Sequence, residues 1–172
     1  MFRSIQLWHL QNPEGGEIWI RAQEGYIHIS PFAWNTWDSS AGLEMWGGGA
    51  GTSSYVLKTT ASEYLYVPVY FPPEADGLLV RQITISYYDA GAGDLRYYLR
   101  KVDLYDQGVT TVANIISTGN IAGWRKMYIN RWDMSARRID NERYAWYIAI
   151  YFSVENSSDL RLGNIKIKYA TE

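Results

Sequence analysis

The chain has 172 residues, a length that suits one domain with at most a small extension, and its 47% hydrophobic and 20% charged content is neither disordered nor membrane-like. Sixteen Lys and Arg against 18 Asp and Glu leave a formal charge of −2, so no strong field exists to draw in nucleic acid or an anionic lipid surface. With no cysteine, disulfides and thiolate metal sites are excluded, and the fold must hold by packing alone.

The opening stretch, MFRSIQLWHLQNPEGG, lacks the unbroken apolar run of a secretory signal. A virion or extracellular-surface setting would then call for a removed leader or for export inside an assembled particle. Strands are expected over 2–10, 17–22 and 25–30, with QEG between the last two as a tight hairpin signal. Residues 1–30 read as an N-terminal arm or hairpin that could add a strand to a neighbour's sheet, and 31–172 as the main domain. His9 and His28 each stand alone in an apolar strand and read as strand-face histidines rather than metal ligands.

PFAWNTWDSSAGLEMWGGGAG, residues 31–51, reads as a long irregular loop. Its Trp34 and Trp37 are expected to anchor it, while Trp46, beside the glycines, is expected to meet a partner. GGGAGTSS is not a phosphate cradle, because no Lys-Ser/Thr and no helix pattern follow it.

Further strands are expected over 54–58, 63–71, 78–88, 94–104, 110–117, 124–130 and 143–153, with a last one from Leu160. In YVPVYFPP, Pro68, Pro72 and Pro73 mark an edge or an early strand end, since proline cannot donate to a ladder. DAGAG reads as a hairpin between 78–88 and 94–104, and chain neighbours are expected to pair antiparallel. Its Asp89 and Asp94 could offer oxygens to Ca²⁺, although carboxylates at strand ends also cap turns by themselves.

DLRYYLRKVDLY sets Leu95, Tyr97 and Leu99 on one face and Arg96, Tyr98 and Arg100 on the other. Before the strand at 143, MSARRIDNERYA could form a single turn capped by Asp133 or Ser135. YAWYIAIYF is apolar on both phases and should be a central strand, and it is far short of the roughly 20 residues of a membrane helix. The alternation of LRLGNIKIKYA slips at Gly163–Asn164, which reads as a bulge that leaves Lys166 and Lys168 facing water.

These elements predict an all-β, antiparallel two-sheet sandwich of jelly-roll or Greek-key type. No nucleophile motif is present, and Glu44, Glu63, Asp103 and Glu142 are only generic candidates for a carboxylate pair. Catalysis and cofactors are not expected. What stands out is an excess of 15 Tyr and 8 Trp, residues suited to surfaces that are dry on one side and wet on the other.

The succession YVPVYFPPEADGLLVRQITISYYD, LRYYLRKVDL, IDNERYAWYIAIYF and SSDLRLGNIKIKY resembles β-sandwich domains of bacterial surface and phage-tail-like proteins. The likeness runs over about residues 30 to 170 and implies a sandwich architecture with no assigned catalytic residue to carry over. On that resemblance, the leading expectation is a non-enzymatic structural or adhesive subunit that self-assembles as a homo-oligomer through aromatic interfaces. The alternative is a carbohydrate-binding module whose ligand contacts would come from Trp34, Trp37 and Trp46 together with Trp124 or Trp132.

Overall fold

The computed structural model describes residues 7–11, 17–21, 24–30, 35–36, 43–46, 55–58, 63–90, 93–118, 121–153 and 160–171. Its strands in chain order are β1 (Leu7–Gln11), β2 (Glu17–Arg21), β3 (Glu24–Ile29), β4 (Asn35–Thr36), β5 (Leu43–Trp46), β6 (Tyr55–Lys58) and β7 (Glu63–Val69). They continue with β8 (Leu79–Asp89), β9 (Leu95–Asp103), β10 (Val109–Ile116), β11 (Trp124–Asn130), β12 (Tyr144–Phe152) and β13 (Leu160–Ala170).

Two antiparallel sheets form a jelly-roll-type β-sandwich. The front sheet runs β10-β9-β12-β7-β4, and the back sheet runs β11-β8-β13-β6-β5 with β3 also paired to β13. The strands are rich in Val, Ile and Tyr, which suit a pleated, half-buried surface. Alternate residues turn inward and merge into one core, with Leu65, Val67, Leu95, Tyr97, Leu99, Ile148 and Ile150 from the front and Ile83, Ile85, Leu162, Ile165 and Ile167 from the back. Each fully buried aliphatic side chain among them contributes about 1.5–3 kcal/mol.

YAWYIAIYF is β12, hydrogen bonded on both sides at the centre of the front sheet, and Ile148, Ala149 and Ile150 are all buried. The alternation slip in β13 is a real irregularity, since its register against β8 shifts between Leu162 and Ile165. Lys166 and Lys168 are half-buried. Pro68 lies beyond the two residues of β7 that pair with β4, so proline's missing donor costs no ladder bond there. Pro72 and Pro73 open the 3-10 turn Pro73–Ala75 that ends the strand.

Three expectations about connectivity are corrected. DAGAG does not close a hairpin, because β8 belongs to the back sheet and β9 to the front. QEG likewise joins strands that do not pair: β2 pairs with β1, whereas β3 pairs with β13 along six positions. A turn signal fixes where the chain reverses, but with hydrophobic faces on offer in two sheets it does not fix which one the returning strand joins. The stretch 31–51 is not wholly irregular either, as β4 pairs with β7 and β5 with β6.

Within residues 1–30, β1 and β2 make a two-stranded sheet, while β3 lies in the back sheet of the sandwich. The segment after β11 has a 3-10 turn at Arg131–Asp133, where the Asn130 N–H donates to the Asp133 carboxylate at 3.1 Å. Ser135 bonds instead to β10, its N–H donating to the Val112 carbonyl at 2.9 Å. No helix is long and apolar enough to cross a membrane among the described residues.

Candidate functional site

The outward face of the front sheet is set by the same alternation that fills the core. On β7 the residues off the core phase are Tyr64, Tyr66 and Pro68; on β12 they are Tyr147, Ala149 and Tyr151; on β9 they are Arg96, Tyr98 and Arg100. Strand register then brings them together. Tyr151 stands opposite Tyr64 on one side and Arg96 on the other, Ala149 opposite Tyr66 and Tyr98, and Tyr147 opposite Pro68 and Arg100. The small Ala149 between the taller rings keeps the middle of the face low.

Four rings make a continuous chain of contacts. Tyr151 and Tyr64 have centres 4.9 Å apart, Tyr64 and Tyr66 stack at 5.9 Å with planes 22° apart, and Tyr66 meets Tyr147 at 6.2 Å. These separations lie within the range in which aromatic pairs attract beyond simple area burial. Tyr64 is 38% exposed and its three neighbours are half-buried, whereas Tyr97, one residue inward on β9, is fully buried. At about 3.3 Å per residue, Tyr64 to Pro68 gives the face a length of about 13 Å.

Two cations flank the rings. The Arg96 guanidinium lies 5.9 Å from the Tyr151 ring centre and that of Arg100 lies 4.7 Å from Tyr98. Burial of its own hydroxyl pushes the Tyr66 phenol up, with Tyr64 and Tyr147 adding to the effect and Arg100 opposing it. Tyr66 therefore stays a neutral donor and acceptor at physiological pH.

Of the described tryptophans singled out from sequence, Trp46 and Trp124 lie on strands of the back sheet and Trp132 follows β11. Trp34 and Trp37 lie outside the described residues. Trp46 ends β5 in the back sheet, paired with Tyr55. Trp124 opens β11, and Trp132 lies in the 3-10 turn that follows its far end. Trp124 is 42% exposed, meets Tyr88 edge-on at 6.1 Å and borders a hollow of about 610 Å³ with Ser86, Lys126, Tyr128 and Gly163. Trp132 is 79% exposed, with the Arg131 guanidinium 3.8 Å over its ring.

The acidic candidates are likewise dispersed. Asp89 is fully buried and accepts a short hydrogen bond from the Ser117 hydroxyl, while its main-chain carbonyl accepts from Arg125 at 2.8 Å. Asp94 is fixed through its backbone, its N–H donating to the Ser153 hydroxyl at 2.5 Å. Among the described residues no group of three metal-ligating side chains occurs. Asp103 is held by the Tyr105 N–H at 3.0 Å and by Arg143 at 2.7 Å, which keep its carboxyl below the usual range, the opposite of what a general acid needs.

Glu142 is exposed beside a hollow of about 570 Å³ lined by Tyr70, Phe71 and Leu104. Glu44 and Glu63 are placed in β5 and β7 by their backbones. His28 is exposed on β3 opposite Lys166, and His9 pairs with Trp19 in the β1–β2 hairpin.

Comparison with known proteins adds the fold's relatives. No protein-family model matches the sequence, and neither does any curated protein, so no family match supports the phage-tail-like or surface-protein framing. Among solved structures, the chain is similar to the CBM36-1 domain of a multidomain xylanase from the hindgut metagenome of Trinervitermes trinervoides. That likeness has 10% identity and a TM-score of 0.50, over 83% of this chain and 96% of that one.

It is also similar to the CBM22-1–GH10 modules of an endo-1,4-β-D-xylanase of Clostridium thermocellum complexed with xylohexaose, at 11% identity and a TM-score of 0.53, over 81% of this chain. A third likeness is to the Glycosylation Associate Protein complex of Streptococcus agalactiae, at 8% identity and a TM-score of 0.51, over 84% of this chain. The chain spans 26% and 25% of those last two chains. The likeness establishes the fold, a β-sandwich that bacterial carbohydrate-binding modules also use.

Proposed function

We propose that this protein binds glycans on the outward face of its front sheet, as a binding module without a catalytic role. The observation that carries the reading is the unbroken run of Tyr151, Tyr64, Tyr66 and Tyr147 across β12 and β7, with Tyr98 beside it on β9. Tyrosine offers a flat apolar surface for the C–H face of a sugar and a hydroxyl for its polar rim. Each contact is modest, roughly 0.5–1.5 kcal/mol, so affinity needs several rings on one face, which is the arrangement here. The fold likeness to the CBM22-1–GH10 modules of a xylanase complexed with xylohexaose supports the reading.

Self-assembly as a structural or adhesive subunit, including a virion or cell-surface component, is the second reading. Its support is the exposure of Tyr70, Tyr105, Ile121 and Trp132, which are scattered rather than gathered into one patch. Native mass by light scattering across a dilution series tests it. For the leading reading, the test is affinity electrophoresis through gels holding soluble polysaccharides. At least one is expected to retard the protein, with Tyr66→Ala and Tyr147→Ala each relieving the retardation at unchanged melting temperature; indifference to every polymer would refute it.

A further inference from the structure

We propose that the front face selects glycans bearing acidic groups, either uronate carboxylates or sulfate esters, and that Arg96 and Arg100 read those groups; this rests on the glycan-binding reading above. Among the described strand residues of that face these two arginines are the only formal charges, in a chain whose net charge is −2. A face for neutral sugars gains from carboxylates that accept hydroxyl hydrogen bonds, and the described strands place none there.

Among the described residues neither arginine forms an ion pair, and the Arg100 Nε–H is buried without a hydrogen-bond partner. Buried donors are rarely left so, and an unpaired donor on a cation is the costliest kind. The rings position the guanidiniums through their π faces, at 5.9 Å and 4.7 Å, which uses none of the N–H donors. Those planar forks match the paired oxygens of a carboxylate or sulfate. Four residues apart on β9, the two lie about 13 Å from each other along the strand, with Tyr98 between them. That layout suits a polymer whose acidic groups recur, with sugar rings resting on tyrosines between them.

The test is affinity electrophoresis of the full chain against alginate, polygalacturonate and chondroitin sulfate, in parallel with xylan, laminarin and dextran. The expected result is retention by at least one acidic polymer, weakened about tenfold or more by R96Q and by R100Q. It should also weaken as ionic strength rises and stay unchanged in K126Q, which removes one exposed charge from the opposite sheet. Desulfated and carboxyl-reduced forms of the retained polymer then tell sulfate from carboxylate. R96Q alters an exposed side chain and keeps the test valid if R100Q melts early.

Retention by neutral polymers alone overturns the proposal and leaves glycan binding intact. Acidic retention that ignores both arginine variants, or falls equally in K126Q, also overturns it. Failure of all six polymers overturns the proposal together with the reading beneath it.

Discussion

The two outward faces of the sandwich are made by the same kind of strand and differ in how far one aromatic ring runs on to the next. On the front, Tyr151, Tyr64, Tyr66 and Tyr147 follow one another across β12 and β7, with Arg96 and Arg100 over Tyr151 and Tyr98 along the β9 side. On the back, Tyr88 meets Trp124 edge-on without a longer run among the described residues, and cations lie over Tyr88 and Tyr26. Arg161 lies 4.5 Å over Tyr88, and Lys166 and Lys168 lie 3.9 Å and 5.7 Å over Tyr26, where Lys168 also pairs with Glu24 at 2.7 Å. A pair of rings offers a sugar less continuous apolar surface than a run of four, so the number of exposed aromatics is a poor guide to a binding face. Which groups lie beside them in register is the better one.

The largest expected effect comes from removing the middle of the front chain of rings. Tyr66→Ala with Tyr147→Ala should weaken glycan affinity by about tenfold to a hundredfold, because two of the four rings under the sugar are gone, with an unfolding midpoint close to the parent's. Trp124→Ala on the back should leave affinity unchanged, and a comparable weakening there would erase the distinction between the faces.

On the back face, Gly163→Val should destabilise by about 1–3 kcal/mol in chemical denaturation. Even a Cβ at Gly163 would come within 3.0 Å of the Trp124 ring and 3.1 Å of the Ser86 carbonyl oxygen. An unchanged midpoint would mean that the ring does not lie against the bulge. Between the sheets, Tyr97→Phe should raise stability by up to about 1 kcal/mol, because the buried Tyr97 hydroxyl has no partner among the described residues.

The smallest effect is a pH dependence confined to β3. The Lys168 hydrogen bond, and then that of Tyr26, hold the Glu24 carboxyl below its usual range, so its contribution is present at neutral pH and fades as the solution is acidified through that range. The Lys168 ammonium is held above its usual range by Glu24, so its share is lost only on strong alkalinisation. Hydrogen exchange of the β3 amides should accelerate in acid before that of β12.

Much of the fold was legible because period two is imposed by burial. Leu95, Tyr97 and Leu99 are buried as the alternation requires, and the slip at Gly163 marks a true register shift. The Arg96–Tyr98–Arg100 face was legible within its own strand, whereas Tyr64, Tyr66, Tyr147 and Tyr151 were missed, because YAWYIAIYF reads as apolar on both phases and YVPVYFPP is marked by its prolines. What the chain order hides is that β12 inserts between β9 and β7, partners 40 and more residues away, and only that insertion makes one face of them. Local density in 31–51 also drew attention to tryptophans, a signal that carries no information about cross-strand neighbours, and Trp34 and Trp37 lie outside the described residues.

Glycan binding on the front face is tested most sharply by NMR chemical-shift mapping with an oligosaccharide of whichever polymer retards the protein. Shifts are expected to gather at residues 64–68, 96–100 and 147–151, with 124–130 silent. Shifts centred on Trp124 or Trp132, with the tyrosine strands unmoved, would contradict front-face binding.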